Sequence, residues 1–243
     1  MSRPLRSDFL QRLRQEAWAF GRDLRDRLLR EYQETYSLEI LPPPAIIIDE
    51  LLTDFLGAKL RYDPIPMGPF AQTQWLEGQP VVTINTLTRD MEGVKDAWGV
   101  ENVGKWHEGI HVVRDMGALR PGPQATLPGF DVPGTLTCFR KPQPTPRAPT
   151  AMSREFWAEE AGRAAAVSYA ALARSEAFRA LAGARNRSNG EKWRLLYEAA
   201  SNIGVNRSAL VTQLELEGRI VVQKENGRQI LHIQPALTGA LDL

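Results

Sequence analysis

Cysteine is almost absent: the 243 residues include one, Cys138. A single thiol can form no internal disulfide and no multi-cysteine metal cage, and such usage fits a reducing compartment. Histidine is nearly as scarce, with three residues, so any imidazole chemistry must draw on His107, His111 and His232. Long apolar runs are missing. No stretch approaches the roughly 18 residues a spanning helix needs, and the charged start MSRPLRSDFL lacks the apolar centre of a signal peptide. The expectation is a soluble, cytoplasmic protein with no membrane partner. An excess of either charge is missing too, with 30 basic against 29 acidic residues, so only a local patch could favour nucleic acid. The remainder is ordinary globular composition, 43% apolar and 24% charged. The length fits one large domain or two modest ones.

Hydrophobic spacing sets out the elements. Over 5–36, Leu10, Leu13, Ala17, Phe20, Leu24, Leu28 and Tyr32 recur every three or four residues, the stripe of an amphipathic helix. Arg12, Arg14, Arg22, Arg25, Arg27 and Arg30 lie between them. They read either as a basic arm or as a solvated face paired with Glu16, Asp23, Asp26 and Glu31. The prolines at 42–44 end this region. A short helix over 46–56 should stop at Gly57, followed by a strand at AKLRYD and a strand pair turning at Glu77-Gly78, with VVTIN the stronger half. A helix from about 100 to 116 follows. Residues 118–150 are too rich in proline and glycine for regular helix. A further helix is expected over 153–182, capped by Ser153. The C-terminal part reads as helix, tight turn at Ile203-Gly204-Val205, helix, and a hairpin at Asn226-Gly227, a winged helix-turn-helix pattern. Three parts result: an N-terminal helix in 1–40, a domain over 41–183 carrying the insertion 118–150, and a C-terminal unit over 188–236.

Two of the three histidines stand in KWHEGIHVVRD. On a helix His107 and His111 lie one above the other and can offer two imidazole nitrogens to one metal ion. Glu108, about 100° round the helix, misses the ion but can reach a water beside it. This is the H-E-x-x-H arrangement of two zinc ligands and a general base. The plain alternative is a helix with two polar histidines. Against it, Val100, Val103, Trp106, Ile110 and Val113 surround the pair, so the rings border a buried face and need partners. A catalytic site of this kind wants a third ligand and an open position. His232 sits far along the chain, in the C-terminal hairpin, which leaves a carboxylate. Glu155 and Glu159 are four apart in SREFWAEEAGRAAAVS; one can bind metal while the other supports a ligating histidine, with Glu160 off that face. An acidic first turn, favoured by the helix dipole, is the other reading of these glutamates.

The order of these pieces resembles one family. AIIIDELLTDFLGAKLRYD, then PVVTIN, then the HEGIH helix, then Glu155-Phe-Trp-Ala-Glu159 and a closing winged helix-turn-helix are similar to the ImmA/IrrE zinc metallopeptidases, over about residues 45–235. The resemblance implies an α+β fold, a mostly helical zincin-like peptidase domain with a small sheet, followed by the winged unit. It implies a cytoplasmic zinc-dependent endopeptidase that cleaves a regulatory protein, a helix-turn-helix repressor, in a stress or mobile-element response. By position, His107, His111 and Glu155 would bind Zn2+, Glu108 would be the base, and Glu159 would stand near the site as support or as an alternative ligand. Val81 to Asn85 would form the strand along which substrate lies. Tyr169 is a candidate for stabilising the oxyanion. The family reads H-E-L-G-H, whereas here the glycine comes one residue earlier, as Gly109-Ile110. The competing reading is a winged-helix DNA-binding regulator with a structural or sensory zinc site, or a silent peptidase that only holds its partner. Arg207, Ser208, Thr212 and Gln213 are the side chains suited to DNA.

Overall fold

The computed structural model describes residues 4–65, 69–90, 96–115, 135–138 and 149–238. The insertion expected at 118–150 lies for the most part outside them. The architecture is α+β and mostly helical. Helix α1, Pro4–Tyr36, ends where Ser37 takes a positive φ of 50° just before the proline run. Its apolar stripe is buried at Ala17, Leu24 and Leu28. The arginines divide. Arg27 faces Glu31 in a loose exposed pair. Arg14, Arg22 and Arg25 turn inward instead, toward other elements. Arg25, 7% exposed, donates from Nη1 to the carbonyls of Ala164 and Val167. A solvated basic face is therefore right for only part of this helix.

Helix α2, Pro44–Glu50, runs into a π-helical turn, Leu51–Phe55, and stops at Gly57 with φ 65°. Strands β1 (Lys59–Asp63), β2 (Ala71–Leu76) and β3 (Gln79–Asn85) follow, then a 3-10 turn, Thr86–Asp90, and helix α3, Ala97–Arg114. Strand β4, Thr135–Cys138, completes a four-stranded sheet in the order β1-β3-β2-β4. Strand β1 runs parallel to β3 and the other pairings are antiparallel. The β2–β3 hairpin turns on Glu77 and Gly78, both in the left-handed region, as a two-residue turn between twisted strands requires. Val81–Asn85 cannot be the strand along which a peptide lies. Strand β3 is central and its backbone is paired on both sides, so β1 and β4 are the edge strands of this sheet among the described residues.

Helix α4, Pro149–Ala166, packs on α3, and α1 packs on α4, stacking three helical layers over the sheet. Small residues allow the close approach. Ala158, Ala161 and Ala165 are fully buried. A Cβ on Gly21 would stand 2.1 Å from the Ala161 carbonyl oxygen, and one on Gly162 2.8 Å from both Cα and N of His107.

The single helix expected over 153–182 is three. It begins four residues before Ser153, which is therefore not its cap, and breaks before α5 (Tyr169–Arg174) and α6 (Glu176–Ala182). Ser168 and Ser175 cause the breaks, because each side chain accepts the amide three residues on and restarts the helix. A serine hydroxyl competes for backbone donors in this way and favours caps over helix interiors. Helix α7, Asn189–Asn202, opens with a capping box of Ser188 and Glu191. Helix α8, Arg207–Leu216, is capped by Asn206. Strands β5 (Ile220–Glu225) and β6 (Arg228–Ile233) form a hairpin turning at Asn226 and Gly227, and α9, Pro235–Thr238, follows.

The turn between α7 and α8 rests on the start of α3. Asn102 Nδ2 donates to the Gly204 carbonyl at 2.9 Å, and a Cβ on Gly99 would stand 2.4 Å from the Asn206 nitrogen. Among the described residues, no helix is long and apolar enough to cross a membrane.

Candidate metal centre

Helix α3 begins at Asp96, whose side chain accepts the Gly99 amide. From that start, residues 107 and 111 fall on the face turned toward α4. Both histidines are buried, His111 completely. Their Nε2 atoms are 3.0 Å apart. Helix α4 brings Glu155 to the same point: its carboxylate oxygens lie 3.4 Å from His107 Nε2 and 3.5 Å from His111 Nε2. One ligand atom from each of the three residues lies within 4.8 Å of the others, and the group could hold a metal ion. The Glu155 side chain is 32% exposed, so the cluster meets solvent on that side.

The electrostatics match this crowding. Burial alone would lower the His111 pKa, but hydrogen bonds to Asp115 and Glu155 and the charges of Glu108 and Glu155 outweigh it and push the ring up to about 9. Burial alone would raise Glu155, but the hydrogen bonds and charges of the two histidines hold it down at about 2. A carboxylate and a proton-hungry imidazole share one spot, and a cation placed there would do the proton's work.

Asp115 and Thr73 also belong to the site, although the H-E-x-x-H sequence pattern does not point to them. Asp115 Oδ2 lies 2.8 Å from His111 Nδ1. It holds that nitrogen as the N–H, so that once the ring gives up its other proton the Nε2 lone pair points at the cluster. Its signal was legible, a carboxylate four residues beyond a ligand on the same helix. Thr73, in the middle of β2, donates its hydroxyl to Glu108 Oε2 at 2.6 Å. Nothing in the local sequence joins two residues 35 positions apart.

Glu108 is 0% exposed. Burial pushes its carboxyl above the usual carboxylate range, against the pull of His107, His111 and the Thr73 hydroxyl. Its Oε1 is buried and finds no hydrogen-bond partner among the described residues. An orphaned carboxylate oxygen is expensive in a fold unless something docks against it. Beside three converging ligand atoms, it fits a site built to take a cation together with a small polar molecule.

The other candidates lie elsewhere. Glu159 is exposed and does not join the cluster. The line of contact along α4 runs through Glu155, Ala158 and Gly162, and Glu159 falls one residue beyond it. Glu160 is buried against α1, accepting Trp18 Nε1 and facing Arg14 and Arg163. Tyr169 is not among the residues gathered at the cluster; its hydroxyl is bound to Glu217, which also pairs with Arg22 and Arg219. His232 stands in β6, remote in the chain from the pair on α3. The displaced glycine is also explained. A Cβ on Gly109 would stand 3.0 Å from Leu52 Cδ2, while Ile110 is fully buried in the core. The close helix contact at His107 comes from Gly162 on α4 instead.

On the C-terminal side, Arg207 and Ser208 are exposed at the start of α8, with the Arg207 guanidinium stacked 4.6 Å from the Tyr197 ring. Gln213 is not available to a partner. It is 1% exposed and donates to Glu217. No family model, curated protein or solved structure was found to match the chain.

Proposed function

We propose that this chain is a zinc-dependent endopeptidase of the ImmA/IrrE kind, a zincin-like domain joined to a winged helix-turn-helix, which cleaves a regulatory protein such as a helix-turn-helix repressor. The observation that carries this reading is the division of labour around α3: His107, His111 and Glu155 converge on one point, and a fourth group, Glu108, is buried beside them with one oxygen held and the other unpartnered among the described residues. Two imidazoles and one carboxylate are a donor set that zinc favours, and three protein ligands leave room for substrate. Zinc held there would supply Lewis acidity, polarising the scissile carbonyl and acidifying the attacking water. Asp115 keeps His111 in the ligating tautomer. Glu108 takes the proton of the attacking water and delivers it to the leaving amine. The far edge of β4, unpaired among the described residues and one strand away from Thr73 on β2, supports an extended peptide as substrate.

The test has two parts. Stoichiometric zinc should be found in the purified protein and lost from His107→Ala. Lysate treated with wild-type protein should then show new protein N-termini that Glu108→Gln does not produce. Zinc retained by His107→Ala, or identical N-termini from both proteins, would sink the proposal. A DNA-binding regulator is the second reading, favoured by the exposed Arg207, Ser208 and partly exposed Thr212 on α8. It predicts salt-dependent binding to duplex DNA that Arg207→Ala weakens.

A further inference from the structure

Glu108 has two carboxylate oxygens, and the fold treats them differently. Oε2 receives the Thr73 hydroxyl at 2.6 Å. Oε1 is equally buried and has no partner among the described residues. Thr73 itself is 0% exposed and sits in β2 between β3 and β4, paired in register with Val82 and Leu136. It is held by sheet on both sides, and a β-branched side chain has little rotational freedom. Its single proton can satisfy one acceptor only. Glu108, by contrast, has a long side chain that would otherwise swing. A bare packing role would be met by valine, which has the same shape; the hydroxyl adds a directed bond to one of two equivalent oxygens.

We propose that Thr73 is a positioning residue that ties down Glu108 Oε2 and so makes Oε1 the oxygen that meets the reacting water. The inference rests on the peptidase reading of the site. The proton taken from water lands on Oε1, and the Thr73 bond to Oε2 persists before and after that transfer. No ligand atom is involved, so the metal should be held equally well with or without the hydroxyl.

The probe is acetohydroxamate binding to the zinc-loaded full chain, because this chelator passes its hydroxyl proton to a neighbouring base as its two oxygens engage a metal. Zinc affinity and thermal midpoint are measured alongside. Thr73→Val should weaken acetohydroxamate about tenfold, the scale of one lost bond to a charged group, with zinc affinity unchanged. Thr73→Ser should bind it like wild type, and Glu108→Gln should lose at least as much as Thr73→Val. Wild-type binding by Thr73→Val, when Glu108→Gln is weakened, would overturn the role of Thr73 and leave the peptidase reading standing. Equal weakening in Thr73→Ser and Thr73→Val would show that shape, not the hydroxyl, matters. Loss of zinc affinity in Thr73→Val would place Thr73 under the ligands rather than under Glu108. A wild-type chain that binds no zinc, or a Glu108→Gln that binds acetohydroxamate normally, would bring down the reading of the site and this inference with it.

Discussion

Replacing Gly162 by alanine should damage the His107–His111–Glu155 cluster, although Gly162 lies 7 residues along the helix from Glu155. The new Cβ would lie 2.8 Å from His107 Cα, 2.8 Å from His107 N and 3.3 Å from His107 Cβ. Carbon atoms rest at about 3.5–4.0 Å, so α4 must retreat from α3 by about 1 Å. The obstacle is helix backbone and cannot rotate away. Glu155 rides on the same helix, about 10 Å toward its start at 1.5 Å per residue. Its oxygens stand 3.4 and 3.5 Å from the two Nε2 atoms, and ligand geometry tolerates only about 0.2 Å. Overpacking of this size costs about 1–3 kcal/mol, or roughly 2–4 °C of melting temperature per kcal/mol in a chain this long. Zinc affinity should fall by about tenfold or more, the shift that corresponds to about 1.4 kcal/mol. The assay is a chelator-competition titration with thermal melts, beside Gly190→Ala as control. A Cβ at Gly190 meets nothing within 4 Å, and alanine there should stabilise α7 by up to about 1 kcal/mol. Wild-type zinc affinity and melting in Gly162→Ala would refute the close-approach argument.

Metal affinity should climb with pH. His111, raised to about 9, must lose a proton to bind, while Glu155 at about 2 is already ionised. Apparent zinc affinity should therefore rise about tenfold per pH unit between 6 and 8 and level off above 9; a flat profile would count against His111 as ligand. The metal-free protein should do the reverse. The raised His111 contributes stability that is full below its unfolded value, about 6.5, and is lost as pH rises through about 9. The lowered Glu155 contributes above about 4.5 and loses its share as pH falls toward 2. Melts of chelator-treated protein across this range would read both limbs. Asp115→Asn, which keeps the shape and removes the charge at 2.8 Å from His111 Nδ1, should weaken zinc about 10- to 100-fold, measured by the same competition. Arg25→Ala should cost about 1–3 kcal/mol in urea unfolding, because it strips the donor from the carbonyls of Ala164 and Val167. A change below about 0.5 kcal/mol, the level of an ordinary surface substitution, would mean water replaces it freely.

Helical spacing was enough to put His107 and His111 on one face with Glu108 beside them, because a four-residue repeat is a local property. The choice between Glu155 and Glu159 was not local. It depends on where α4 touches α3, and that line is drawn by Ala158 and Gly162. Thr73 was invisible for a similar reason, since its partnership with Glu108 follows from sheet order. The hairpin turns at Glu77-Gly78 and Asn226-Gly227 were legible because positive φ selects few residues. The serines at 168 and 175 are hard to read as caps, because they lie within an alanine-rich run whose composition favours a continuous helix. Inward-facing Arg14, Arg22 and Arg25 mimic a solvated stripe, because their charges are answered by Glu160, Glu217 and backbone carbonyls far away in the chain.

The seat of the Gly204 turn has a consequence for how this chain can be divided. The turn carries φ 68°, and a Cβ there would stand 2.4 Å from Ala45 Cβ and 2.7 Å from the Trp98 ring. Ala45 opens α2 and Trp98 opens α3, so one glycine in the C-terminal unit is a keystone between two helices of the other. The chain between residues 183 and 188 is exposed except at Ala184, yet parting the two units there would open the interior contact around Gly204. Each half would be left with an unfilled notch, and the helix that carries both histidines would lose the footing of its first turn.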